Sequence, residues 1–315
     1  MHNILRPIQR GLKQVNLIKY ILLRLILSLS IGIVIIDSGL SKGGRWVLNE
    51  QIITGFNLLN NNFNIYIPGP ENSYGVTTVY PPLQAIFLGF LTNFFSLRIV
   101  ELFSITIIAP LIGITLFNLF VNLTLKINYK IINLNTPKSL CLLITASLFL
   151  FSKNFIPYLS ELKPDAVALI FLLLSINSLC NFENKEIKQK IFPVITNKRI
   201  FLLTFLLFLA CITKQQFILP SLLICFYLSF LRKSILIFIT ILSAPLLSIL
   251  IPSIILKGYF KMVILAHMGR GYGGLFDTSF GILNSIGIYI SGIAGLIYIS
   301  SIFININNSK NIFQK

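Results

Sequence analysis

Acidic residues are scarce in this sequence: nine Asp and Glu stand against 26 Lys and Arg in a chain of 315, and only 11% of positions are charged. A water-solvated globular protein carries roughly a quarter of its residues as charges, so a soluble fold is excluded. Cysteine and histidine are as sparse. Cys141, Cys180, Cys211 and Cys225 lie in or at the edge of apolar runs with no C-x-x-C pair, and His2 and His267 stand alone. That removes a His/Cys zinc site and leaves the cysteines as packing residues. The sequence implies no cofactor and shows no cluster of ligands, and it leaves a requirement for a divalent metal open.

Apolar side chains take the place of the missing charge. They make up 55% of the chain, with a mean hydropathy of +0.85, and they recur in runs long enough to cross a hydrocarbon core that needs roughly 20 residues of helix. The formal charge of +17 does not point to nucleic acid. The bases are spread between apolar spans instead of gathered on one face, as they are when cytoplasmic loops keep Lys and Arg and translocated loops lose them.

Arg6, Arg10 and Lys13 precede a first apolar run from about 18 to 36 with no A-x-A site after it. This reads as an uncleaved first helix with its N-terminus in the cytoplasm. The following polar stretch, 37 to 81, then lies outside. Within it, Trp46 to Leu59 spaces apolar residues near i, i+3 and i+4, which predicts an amphipathic helix lying on the membrane surface, unless Gly55 ends it early. Further apolar runs cover about 83–97, 99–121, 139–152, 166–180, 200–213, 216–231, 234–256 and 282–303. Basic connections at 122–138, 181–199 and Arg232-Lys233 belong with the N-terminus on the cytoplasmic side. Strict alternation leaves one crossing too many before residue 99: the run 83–97 is the suspect, as a re-entrant piece, unless the side assigned to 122–138 is wrong.

The expected fold is therefore all-α, a polytopic transmembrane helix bundle of eight to nine segments forming a single integral membrane domain over 1–315. The expected location is the bacterial cytoplasmic membrane. Seven of the nine acids fall on or near its outer face: Asp37, Glu50, Glu71, Glu101, Glu161, Asp165 and Asp277.

Four short stretches carry the functional argument. Asn49-Glu50 sits on the predicted surface helix. Val79-Tyr80-Pro81-Pro82-Leu83 opens the next run, Glu161-Leu162-Lys163-Pro164-Asp165 precedes another, and Thr213-Lys214-Gln215-Gln216 joins two more. Their order resembles that in the GT-C fold membrane glycosyltransferases, the polyprenyl-phosphate-sugar-dependent superfamily that includes protein mannosyltransferases and lipid A aminoarabinose transferases. In that family an acidic residue in the first outer loop precedes an aromatic-Pro-Pro-Leu sequence, matched here by Glu50 and by Tyr80 to Leu83. Asp165 and Lys214 sit where the family often places an acid and a base. The resemblance covers about residues 18–231, with 232–315 adding further transmembrane segments and an outer loop. It departs at Asn49, which leaves the loop acid single, and in length, so that a short or truncated member is expected.

The resemblance implies transfer of a sugar from a polyprenyl-phosphate donor to a lipid, glycan or protein acceptor on the extracytoplasmic face. A carboxylate must take the acceptor's proton, with Glu50 and Asp165 as catalytic candidates. Cations must meet the charge that grows on the leaving phosphate. Tyr80, Lys163, Lys214, His267 and Arg270 are the candidates for holding substrate, the last two in the glycine-rich stretch 266–274.

Each has a plainer reading. Glu50 is then a solvated helix residue, Asp165 a helix cap, Tyr80-Pro81-Pro82 an extended lead into a helix, Lys214 a snorkelling lysine, and 266–274 a connector. A transporter or lipid flippase, or a non-catalytic membrane subunit, is the competing function. Transporters usually show internal repeats or mid-span charges; no repeat is visible here, and the charges crowd at span ends.

Overall fold

The computed structural model describes residues 2–41, 46–60, 63–66, 80–127, 143–144, 146–148, 150–151, 155–188, 197–232 and 235–265. Regular structure among them is helical throughout, with no strand. Half of the expected run 139–152, all of 282–303, and His267 and Arg270 lie outside the described residues.

The chain opens with α1 (His2–Ser41), in which the basic N-terminal stretch and the first apolar run form one helix. α2 (Trp46–Leu59), a 3-10 turn at Phe63–Tyr66 and α3 (Leu83–Thr92) follow. Then α4 (Leu97–Phe103), a π-helical turn (Ser104–Ile108) and α5 (Ala109–Ile127) run on without a break. After these come α6 (Phe155–Ser160), α7 (Pro164–Lys188), α8 (Asn197–Thr213), a 3-10 turn at Gln215–Phe217, α9 (Ile218–Arg232), α10 (Ile235–Ile255) and a π-helical turn at Phe260–Leu265.

Three of these stretches are long and apolar enough to cross a membrane, Ile18–Ser41, Leu97–Leu125 and Ile235–Ile255. This is compatible with a membrane protein. Their large side chains are turned outward to a degree that water would penalise; Ile33 is 66% exposed, Leu236 71% and Ile254 82%. Shorter apolar helices occur at Leu83–Thr92, Pro164–Ser178 and Gln215–Ser229.

Side-chain pairing fixes the relative direction of the first long helices. Arg24 bonds Asn118 and Asn122, Gly32 lies against Pro110 and Ile114, and Gly39 lies against Ile105. Rising numbers on α1 meet falling numbers on α4–α5, so the two are antiparallel. Residue 97 therefore starts at the end of the bundle where α1 stops. Ser38 also meets Ser160 there, 3.3 Å between hydroxyls, and Gln84 reaches the neighbouring Leu162.

Both ends of α3 thus lie at the Ser41 end. Its ten residues span only about 15 Å, and the turn at 93–96 breaks the apolar run before α4. The run 83–97 is therefore not one continuous helix, and α3 by itself is too short to span a hydrocarbon core. The described flanks of the three basic connections, Ile127, Lys188 and Arg232, are the far ends of helices that leave the Ser41 end.

Gly55 does not end α2. A Cβ there would lie 1.7 Å from the Ala85 carbonyl oxygen, and one on Gly89 would lie 2.2 Å from the Gly55 carbonyl carbon. The two glycines let the backbones of α2 and α3 touch, the device by which helices pack closely where small residues face each other.

The helix predicted at 46–59 is present with the same bounds, but it faces the other way from a surface helix. Glu50, Gln51, Thr54 and Asn57 are buried, and the outward stripe is Asn49, Ile53, Phe56 and Asn60. A surface helix would show its polar side to water. Here that side is covered by the bundle, because the Gly55 side is taken up by α3 and the polar sector next to it turns inward.

Candidate functional site

The polar side chains of the site gather at the Ser41 end, Asp165 and Lys214 delivered by two breaks between helices. α6 closes with paired backbone bonds, Lys163 N–H to the Tyr158 carbonyl (2.9 Å) and Leu162 N–H to that of Leu159 (3.0 Å). This closure puts Leu162 at φ 50°, a left-handed position usually filled by glycine. The Leu162 side chain is 2% exposed, and its packing offsets the strain. Its carbonyl accepts a hydrogen bond from Gln84 Nε2, which ties this turn to the start of α3. Pro164 then opens α7 at a position where its missing N–H costs nothing, and Asp165 follows in the first turn.

The second break ends α8. Lys214 is extended, φ −151° and ψ 119°; its N–H still reaches the Ala210 carbonyl (3.0 Å), and its own carbonyl accepts from Phe217 N–H (3.1 Å). Between two helices it thus projects into the bundle. Its Nζ lies 3.2 Å from Asp165 Oδ2, with both side chains 7% exposed, and 4.3 Å from the centre of the Tyr80 ring. Snorkelling is therefore not the role of Lys214, and Asp165 is paired with its ammonium.

Tyr80 is the hub. Burial first, then the charges of Glu50 and Asp165, and then Tyr158 and Glu161, push its phenol up to about 12. Those same causes put Glu50 and Asp165 within electrostatic reach of one ring. Tyr66 donates its hydroxyl to the Tyr80 carbonyl at 2.8 Å and meets Tyr259 edge-on at 5.2 Å between ring centres. Burial, then Tyr259, then Glu50 hold the Tyr66 phenol well above its ordinary value. Lys163 stands at the margin, 3.3 Å from Glu161 Oε2 and 4.4 Å over the Tyr158 ring.

Four of the predicted site residues, Glu50, Tyr80, Asp165 and Lys214, are thus brought together from positions spread over 165 places in the chain. Lys163 lies beside them.

Sequence reasoning missed the amides and the second and third tyrosines. Gln51, Thr54, Asn57 and Gln215 are 0–9% exposed, and their side-chain polar atoms make no hydrogen bond among the described residues. With Glu50, the first three occupy roughly a third of the circumference of α2. That sector was legible as i, i+1, i+4, i+7, but polar residues on a helix were taken to face out.

Among the described residues no three His, Cys, Asp or Glu side chains gather as a metal site would require. An apolar groove of about 680 Å³ runs between α8 and α10, lined by Phe201, Thr204, Phe205, Leu236, Thr240 and Ser243 among others. It carries no charged group and holds none of the residues above. Comparison with known proteins returns no match to a family model, to a curated protein or to a solved structure.

Proposed function

We propose that this chain is a multi-pass membrane glycosyltransferase of the GT-C type, moving a sugar from a polyprenyl-phosphate donor to a lipid, glycan or protein acceptor. The observation that carries this reading is the convergence of Glu50, Tyr80, Asp165 and Lys214 at one end of an apolar bundle. The resemblance singled out these four residues from sequence.

The roles follow from the partners. Glu50 is the carboxylate assigned to the acceptor proton. Lys214 is the cation assigned to the departing phosphate, and Asp165 holds it in place. A buried ammonium with a carboxylate 3.2 Å away is held in position, and a phosphate replaces or shares that carboxylate on arrival. Gln51, Thr54, Asn57 and Gln215 retain hydrogen-bonding capacity suited to a hydroxyl-rich substrate. Lys163 belongs to the rim. With α3 not crossing, eight spans remain, the N-terminus is cytoplasmic, and the cluster opens on the outer face of a bacterial cytoplasmic membrane.

The test is sugar transfer from radiolabelled polyprenyl-phosphate sugars in membranes. Glu50→Gln keeps size and hydrogen bonding but loses proton affinity, so turnover falls roughly 100-fold or more while donor binding survives. Lys214→Ala weakens donor binding as well. Unchanged turnover in Glu50→Gln at matched protein level removes Glu50 from the mechanism and moves the reading to a transporter.

A further inference from the structure

A second polar constellation lies far from the first. Arg24 is 17 residues before Ser41 on α1, about 25 Å along the helix, and inside an otherwise apolar stretch. Its Nε donates to Asn118 Oδ1 at 2.8 Å, and its Nη2 donates to Asn122 Oδ1 at 2.9 Å and to the Asn118 carbonyl at 3.4 Å. Asn118 is held in turn by the Ile114 carbonyl (2.9 Å) and by Ser28 Oγ (3.4 Å). Tyr20 is buried next to the guanidinium.

Every one of those acceptors is neutral. They satisfy Nε and Nη2 and leave the charge itself unbalanced, and the Tyr20 hydroxyl within reach of the guanidinium is a neutral group as well. The constellation is open on its Asn122 side. Around it the side chains of Ile21, Leu22, Leu25 and Ile26 are 52–58% exposed, an acyl-chain environment. Lys19, also exposed, sits one to two turns toward the N-terminus.

A guanidinium inside hydrocarbon with only amide partners is costly. Arg24 is six residues beyond the start of the span at Ile18, about 9 Å, a depth from which a long side chain reaches the headgroup layer. The anion present at that depth in every bilayer is the lipid phosphate, and Nη1 together with the Asn122 amide offers the forked donors a phosphate accepts.

We propose that Arg24, Asn118 and Asn122 form a binding site for the headgroup phosphate of an anionic phospholipid at the end of the bundle opposite the Glu50 cluster. The site does not depend on the glycosyltransferase reading. Asn118 and Asn122 fix the guanidinium plane, and Lys19 adds charge without setting geometry.

The full chain, purified in detergent and offered equal amounts of dioleoyl phosphatidylglycerol and dioleoyl phosphatidylcholine, is analysed by native mass spectrometry for retained lipid. Wild type retains phosphatidylglycerol about tenfold over phosphatidylcholine, the ratio expected of a charge-assisted contact. Arg24→Gln brings the ratio close to one, and Lys19→Gln lowers it by no more than about half.

Should Arg24→Gln fail to fold, Asn122→Asp decides the matter. It puts a carboxylate on the guanidinium, so the fold is kept and the preference is lost. A wild-type ratio near one, a tenfold ratio persisting in Arg24→Gln or Asn122→Asp, or displacement of the lipid by millimolar inorganic phosphate overturns the proposal.

Discussion

Lys214 and Arg24 are both cations set in an apolar bundle, and the bundle treats them differently. Lys214 is 6% exposed and has Asp165 as a carboxylate partner, with the Tyr80 ring beside it. Arg24 is partly exposed and has amide and carbonyl partners only. A compact ammonium taken out of solvent needs a counter-charge in the protein, whereas neutral acceptors orient a delocalised guanidinium near the surface and leave its charge to be met from outside. The closed cation is thus balanced inside the protein, and the open one is not.

This contrast predicts unequal costs of removal. Lys214→Met strands the Asp165 carboxylate in the interior and lowers stability by about 3–5 kcal/mol, read from unfolding of the purified protein in mixed micelles. A loss no larger than that of an exposed lysine would place Lys214 at the surface and erase the contrast.

A smaller effect comes from Tyr80. Its phenol ionises near 10 when unfolded and at about 12 when folded, so at pH 11 the unfolded chain has lost a proton that the folded chain keeps. The stability due to Tyr80 is complete below pH 10 and is lost as pH rises through 12, up to about 2–3 kcal/mol in all. Tyr66 and Tyr259 are shifted in the same direction, so the measurement is the difference in alkaline slope between wild type and Tyr80→Phe. Equal slopes would mean that Tyr80 is neither buried nor beside Glu50 and Asp165. The smallest effect belongs to Arg24→Gln, about 1 kcal/mol by the same unfolding assay, since the asparagines on a partly open surface find other donors.

Much of this molecule was legible because hydrophobic runs report themselves. The bounds of α2 followed from the spacing of its apolar residues, and the suspicion attached to 83–97 came from counting crossings against basic loops. The reason for the break was not legible, because it is a tertiary one. α3 is held against α2 by a Gly55–Gly89 backbone contact and tied by Gln84 to a turn nearly 80 residues away.

The inward turn of Gln51, Thr54 and Asn57 was missed for a similar reason. Amphipathicity gives the angle between two faces but not which of them meets the bundle. For the candidate site, the types and order of Glu50, Tyr80, Asp165 and Lys214 could be read from sequence, while the salt bridge between the last two could not. An acid and a base about fifty residues apart carry no sign of pairing until the helices between them are folded back. The strained Leu162 gave no signal either, since glycine would be the residue to expect at that turn.

The central claim is that Asp165 and Lys214 form one buried pair within a common site, and a double-mutant cycle addresses it most directly. Unfolding free energies are measured for wild type, Asp165→Asn, Lys214→Met and the double variant. The account predicts a coupling of about 2 kcal/mol or more, with the double variant more stable than Lys214→Met alone because no charge is left stranded. Additive losses, with coupling near zero, would show that the two side chains do not meet, and the site built around them would fall.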